Sequence, residues 1–336
     1  MTLDPHLLTA AAERYDLQPF QLKPVQGGHF SHVFEYRLGQ QDFILRLTPP
    51  NADVNLVSMR SMLEWLAFLA GQGGPVARPI RSQAGNLIET IDGQEGVYIA
   101  GAFEKAPGVL AENMPLADWD DGLFQLLGRT LGNCHRIARD YQPARPEHRR
   151  PEWDQGGNCF NPREALEDAD RSILKKRAEV LGKIREMPKD RDHYGLAHLD
   201  LHFGNFFVDK ELQQMVLFDF DDCAYGWYVM DIAMLLFDVL VVYEGSRPVQ
   251  FGERFLKNLL QGYTTQMPVS EWWVRHLLDF LKLLEIGVYL MLYRGYHEES
   301  ADNWVSKFMK GRRERIDKDV AYVELDFITV VSQVLN

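Results

Sequence analysis

The stretch AHLDLHFGNFFVDKELQQMVLFDFDD, residues 197–222, constrains this chain more than any other. It sets His198, Asp200 and His202 on alternate positions, adds Asn205, and ends an apolar run on Asp219. Polar groups at that density cost free energy to bury unless a metal or a charged ligand holds them. The apolar runs FFV and QMVLF flank DKELQQ, so the segment predicts a hairpin with strands near 206–208 and 214–218. Asn205 lies five residues beyond Asp200, a loop spacing that lets both face one cavity. Asn205 and Asp219 supply hard oxygens that suit Mg2+. With Asp200 as base or orienter, these are the parts that phosphoryl transfer requires.

The texture of the chain changes near residue 105. Before it, strands are predicted at 20–26, 30–37 and 42–48, then at RPIRS, NLIETI and GVYIAGAF. One helix is predicted over 53–70, with Leu56, Met59, Leu63, Leu66 and Ala70 at helical spacing. After KAPG (105–108) helices dominate. The first is predicted over 117–141 with Asp118 as N-cap, and others near 162–187, 228–244, 249–263, 270–295 and 302–315. The expected plan is α+β: a small β-rich lobe over 1–104, and a larger helical lobe over 105–336 that carries the hairpin.

A nucleotide site needs a glycine-rich turn, and VQGGHFSHVFEYR supplies one in Gly27 and Gly28. It needs a cation on the third strand, where Arg46 stands alone in FILRLT, and an acid on the next helix, where Glu64 is the only acid between Val54 and Ile88.

Two blocks carry a resemblance. HLDLHFGN (198–205) is similar to H-G-D-L-H-x-G-N, and LFDFDDCAYGWYVMDIA (217–233) is similar to a hydrophobic-D-aromatic-acid block that continues to a glycine and D-[LI]-[AG]. Both are signatures of the aminoglycoside phosphotransferase and choline kinase family, small-molecule kinases with the protein-kinase-like two-lobe fold. The resemblance covers nearly the whole chain. It implies ATP and Mg2+ as cofactors and a hydroxyl-bearing small molecule as acceptor, of aminoglycoside, choline or homoserine type. It implies Asp200 as the catalytic acid–base residue, with His198 beside it chiefly as a loop organiser. It implies Asn205 and Asp219 as metal ligands and Asp231 as a structural acid at a helix start. Gly27, Gly28, Ser31 and Arg46 would meet the nucleotide phosphates, Glu64 would orient the Arg46 cation, and backbone near Ala102 and Phe103 would meet the adenine. This chain departs from the family with Leu199 in place of glycine and Arg46 in place of lysine, and Met62 competes with Glu64 for the helix position.

The net charge of −12 argues against a nucleic-acid partner. Three cysteines without a CxxC pair suggest reduced thiols and a cytoplasmic location. The N-terminus has early acids and no long apolar core, unlike a signal peptide. The most apolar run, 228–243, is interrupted by Asp231 and Asp238 and reads as a buried helix, so no membrane association is expected. His135 and the tryptophans of the helical half read as packing residues, and KGRRERIDK as a solvated helix surface. Two rivals remain: a nucleotide-binding module without transfer, and a zinc hydrolase built on His198, Asp200 and His202.

Overall fold

The computed structural model describes residues 4–25, 31–50, 55–167, 169–243, 247–293 and 304–335. They form two compact units. The first takes the chain up to Gly108, together with Tyr141–Arg150 and Val216–Asp221; the second takes the remainder. The division falls four residues past the 104/105 boundary read from the sequence, and two later segments cross it.

The first unit opens with α1 (Pro5–Arg14), a helix the sequence reading omitted. Asp4 caps it by accepting the His6 N–H at 2.9 Å, and Pro5 occupies the first turn, where no donor is needed. The strands β1 (Lys23–Pro24), β2 (His32–Leu38), β3 (Gln41–Thr48), β4 (Pro79–Ile80), β5 (Glu89–Gly93) and β6 (Gly96–Glu104) form one antiparallel sheet, with β6 between β3 and β4. Alternate residues Phe34, Tyr36, Leu45 and Leu47 turn to a core shared with Leu7, Ala11 and Ala12 of α1. The helix α2 (Leu56–Gly71) starts at Asn55, whose Oδ1 accepts the Ser58 N–H at 2.8 Å, and buries Met59, Met62, Leu63 and Leu66. Segment 216–221 belongs here because Leu217 bonds to both Pro75 and Ala77, and Phe220 packs edge-on against Trp65.

The second unit contains β7 (Val109–Leu110), α3 (Asp121–Ala138), α4 (Arg163–Glu167), α5 (Arg171–Ile184), β8 (Tyr194–Ala197) and β9 (Phe206–Asp209). The chain passes to the first unit within β10 (Gln214–Leu217) and returns for β11 (Ala224–Trp227). It ends with α6 (Val229–Val242), α7 (Pro248–Thr264), α8 (Glu271–Tyr293), α9 (Trp304–Met309), α10 (Arg312–Asp317) and α11 (Phe327–Leu335). The α3 cap is Asp120, which accepts the Leu123 N–H at 2.8 Å, and not Asp118, which ends a preceding 3-10 turn. The helix expected over 162–187 is two helices, α4 and α5. Helices α3 and α7 cross at backbone distance: a Cβ on Gly128 would lie 1.8 Å from the Leu259 carbonyl oxygen, and one on Gly262 1.8 Å from that of Gln125. Trp153, Trp227 and Trp273 are buried, whereas Trp272 and Trp304 are half exposed. Among the described residues no helix is long and apolar enough to cross a membrane.

Candidate active site

The polar cluster of residues 198–205 is organised by the short elements on either side. Strand β8 leads into His198, and β11, paired with it in the register Ala224↔Ala197, leads into α6. This pairing brings Asp231, on the first turn of α6, to the start of the loop. Asp231 accepts the His198 N–H at 2.9 Å and the Leu199 N–H at 2.7 Å. It also bonds His135 Nε2 at 2.9 Å, and His135 Nδ1 meets the Tyr263 hydroxyl at 2.8 Å. Burial pushes the Asp231 carboxyl up, but the bond to His135, the nearby imidazoles and the His198 N–H outweigh it and hold the group below the usual carboxylate range. His135 is therefore structural, as the sequence reading had it.

Leu199 is fully buried and has φ +63, the left-handed region that glycine enters without strain. That conformation gives a physical reason for the family's glycine here; burial of the leucine side chain compensates in this chain. Asp200 follows, partly exposed. The Asn205 Nδ2 donates to the Asp200 carbonyl at 2.8 Å and to Asp200 Oδ2 at 3.2 Å. Both bonds are made by the amide nitrogen, and Oδ1, the metal-competent atom, takes no part in them.

His198 is buried, and its Nδ1 accepts the Asp200 N–H at 3.4 Å. His202 Nδ1 accepts the Gly204 N–H at 3.0 Å, and its Nε2 lies 3.7 Å from Asp200 Oδ2. Both imidazoles spend a ring nitrogen on loop backbone, which fits organisers of the loop. Among the described residues no group of three or more His, Cys, Asp or Glu side chains is placed to hold a metal.

The first unit holds the second group of site residues. Arg46 on β3 is largely buried. Its Nη1 donates to Asp221 Oδ1 at 2.9 Å and its Nη2 to Asp221 Oδ2, while Nε donates to Ser31 Oγ at 3.0 Å. Asp219 Oδ1 lies 3.6 Å from Nη1. Burial works against the Arg46 charge, and Asp221 followed by Asp219 outweighs it. Asp219 has φ +60 and a half-exposed carboxylate.

Several expectations change here. Glu64 does not pair with Arg46: its Oε2 meets His148 Nδ1 at 2.9 Å. Helix α2 is tied to the Asp221 segment by Arg150 instead, which donates to Ser58 at 2.8 Å and to the Asp221 carbonyl at 2.6 Å. Ser31 uses its hydroxyl on Arg46 and on Thr48 Oγ1 at 3.0 Å, so it orients the arginine. Ala102 and Phe103 have strand partners on both sides, Leu45 and Ile80 for the first, Ile44 and Pro79 for the second. Their backbone groups are committed to the sheet, and the strand ends at Glu104. Gly27 and Gly28 lie outside the described residues. No short-range pattern marks His148, Arg150 or Asp221, because each acts on a partner more than 70 positions away.

A family model described as Phosphotransferase enzyme family (APH) matches residues 21–273. The chain belongs to that family. Amicoumacin kinase of Bacillus subtilis (strain 168) is 30% identical over 333 residues, 98% of this chain and 96% of the relative. The solved structure of an amicoumacin kinase in complex with AMP-PNP, Ca2+ and Ami has a TM-score of 0.86 at 27% identity, covering 98% of this chain and 97% of the other. The microcompartment-associated aminopropanol kinase shares the fold, with a TM-score of 0.67 at 19% identity over 93% and 95% of the two chains. The chain is thus a small-molecule phosphotransferase that acts on a hydroxyl, with the protein-kinase-like α+β fold: an antiparallel-sheet lobe and a helical lobe.

Proposed function

We propose that this phosphotransferase moves the γ-phosphoryl group of ATP, with Mg2+, to a hydroxyl of an amicoumacin-like acceptor. The observation that carries this reading is the 30% identity to amicoumacin kinase, sustained over 98% of the chain. The AMP-PNP and Ca2+ of the related structure support a nucleoside triphosphate and a hard divalent cation.

The residues fit that chemistry. Asp200, held by Asn205 and by the Asp231-anchored loop, orients the acceptor hydroxyl and takes its proton. Asn205 and Asp219 would hold the cation through oxygens of the type Mg2+ prefers. Bound Mg2+ supplies neutralising charge to the phosphate oxygens. Arg46, kept charged and aimed by Asp221 and Ser31, would steady the phosphates, under the turn at Gly27 and Gly28. The adenine edge would meet the backbone where β6 leaves the sheet, beyond Ala102 and Phe103.

The test is ADP release from Mg2+-ATP with amicoumacin, and in parallel with an aminoglycoside, choline and homoserine. Amicoumacin-dependent release that stops on chelation is the expected outcome. Release with another acceptor alone would replace the acceptor and keep the reaction. Failure to bind Mg2+-ATP by calorimetry would remove the reading.

A further inference from the structure

Helix α6 runs VMDIAMLLFDVLVV, and Asp231 and Asp238 are its only charged residues. Burying a carboxylate in so apolar a helix costs free energy unless hydrogen bonds or charges compensate it. For Asp231 the compensation comes from His135 and from the N–H groups of His198 and Leu199. Asp238 lies seven residues on, two turns along the same face and about 10 Å away at 1.5 Å per residue.

Asp238 Oδ2 accepts the Phe203 N–H at 2.8 Å. Phe203 stands between Asp200 and Asn205. The two carboxylates of one helix thus take the backbone of the loop at its two ends: Asp231 at residues 198 and 199, Asp238 at residue 203. Asp200 is in the span between them. The aromatic ring of Phe203 packs against Trp119 at 4.8 Å and Phe206 at 5.4 Å, so the residue whose N–H Asp238 holds is also packed through its ring. Gly204 leaves no slack: a Cβ there would lie 2.7 Å from His202 Cε1 and 3.1 Å from Glu112 Oε2.

We propose that Asp238 is a positioning residue for phosphoryl transfer: it fixes the C-terminal half of the 198–205 loop, and with it the placement of Asp200 against Asn205. This rests on the kinase reading above. The oxygen of Asp238 does the work, because its partner is a neutral backbone N–H.

Asp238→Ala and Asp238→Asn separate this from the alternatives, since asparagine keeps an accepting oxygen and loses the charge. In Asp238→Ala, kcat should fall roughly 10–100-fold while KM for ATP and acceptor stay within about threefold, the split produced when a reacting group is misplaced but binding survives. Asp238→Asn should recover most of the loss. In hydrogen exchange of the whole protein, the peptide spanning 198–205 should exchange faster in Asp238→Ala than in the parent, and near the parent rate in Asp238→Asn. Unchanged kcat and exchange in Asp238→Ala would overturn the proposal. So would an asparagine variant as impaired as the alanine variant with a raised acceptor KM, which would place the carboxylate on the acceptor itself. If Asp238→Ala does not fold, Asp238→Asn decides: near-parent kcat and exchange support the oxygen, and loss of either overturns it. If the parent transfers phosphate to none of the acceptors, the functional reading fails while the exchange comparison still tests the anchor.

Discussion

Arg46 grips Asp221 with both nitrogens of its guanidinium fork and keeps its Nε on Ser31. The arrangement needs a planar cation with several donors fixed in direction, which arginine has and lysine lacks. It accounts for the arginine at a position where the family resemblance led one to expect lysine. It also accounts for the freedom of Glu64 to pair with His148. Asp221 supplies the counter-charge, and Arg150 supplies the tie between α2 and the Asp221 backbone.

Removal of the Asp221 carboxylate leaves a largely buried guanidinium with the more distant Asp219 as counter-charge. Asp221→Ala should lower the unfolding free energy by about 2 kcal/mol, in the range for hydrogen bonds to charged groups and less than for a fully buried pair, because Asp221 is one-third exposed. Urea unfolding of the two proteins measures it. Arg46→Lys should lose a comparable amount, since one ammonium cannot replace the fork and the Ser31 contact together. A loss below about 0.5 kcal/mol in both variants would mean that the pair is no stronger than an ordinary surface ion pair.

Asp200 and Asp219 should fail differently. Asp200→Ala should reduce turnover by roughly 10²–10⁴-fold, the usual size of a general-base contribution, while calorimetry finds Mg2+-ATP affinity nearly unchanged. Asp219→Ala should instead weaken Mg2+-ATP binding, and the binding should become insensitive to added Mg2+. Equal loss of binding in both would contradict the division of roles.

Leu199→Gly sets backbone strain against burial. Glycine at φ +63 relieves about 1–2 kcal/mol. Loss of a fully buried leucine costs about 2–5 kcal/mol, and glycine adds about 0.5–1 kcal/mol of unfolded-chain entropy. Net destabilisation of about 2–3 kcal/mol is expected by chemical denaturation. A more stable glycine variant would show that strain outweighs packing here.

Asp231 should make folding acid-sensitive. Its folded-state carboxyl is held below the ordinary value, so its contribution is complete above the unfolded-state value near 4 and drains away as pH falls through the lower folded-state value. Asp231→Asn removes that proton linkage. Its unfolding free energy should be lower than the parent's at pH 7 and should vary less with pH below about 4. Identical pH slopes for the two proteins would count against the assignment.

Much of this protein was legible from residue order. The blocks 198–205 and 217–233 are contiguous, and their spacing singles out Asp200, Asn205 and Asp219 by residue order alone. Strand alternation in FILRLT placed Arg46 on β3, and helical spacing placed α2 nearly to its ends. These are signals of short range, where the period of the backbone and the chemistry of a loop are written in adjacent letters. What the tertiary structure decided is partnership. Asp221 for Arg46, His148 for Glu64, Arg150 between Ser58 and Asp221, and Asp238 for Phe203 all join residues far apart in the chain. The left-handed turn at Leu199 is of the same kind: a leucine accepts it only because the fold buries its side chain. An ion pair depends on distance and burial, and one charged side chain in the sequence is a candidate partner for every other until the packing chooses.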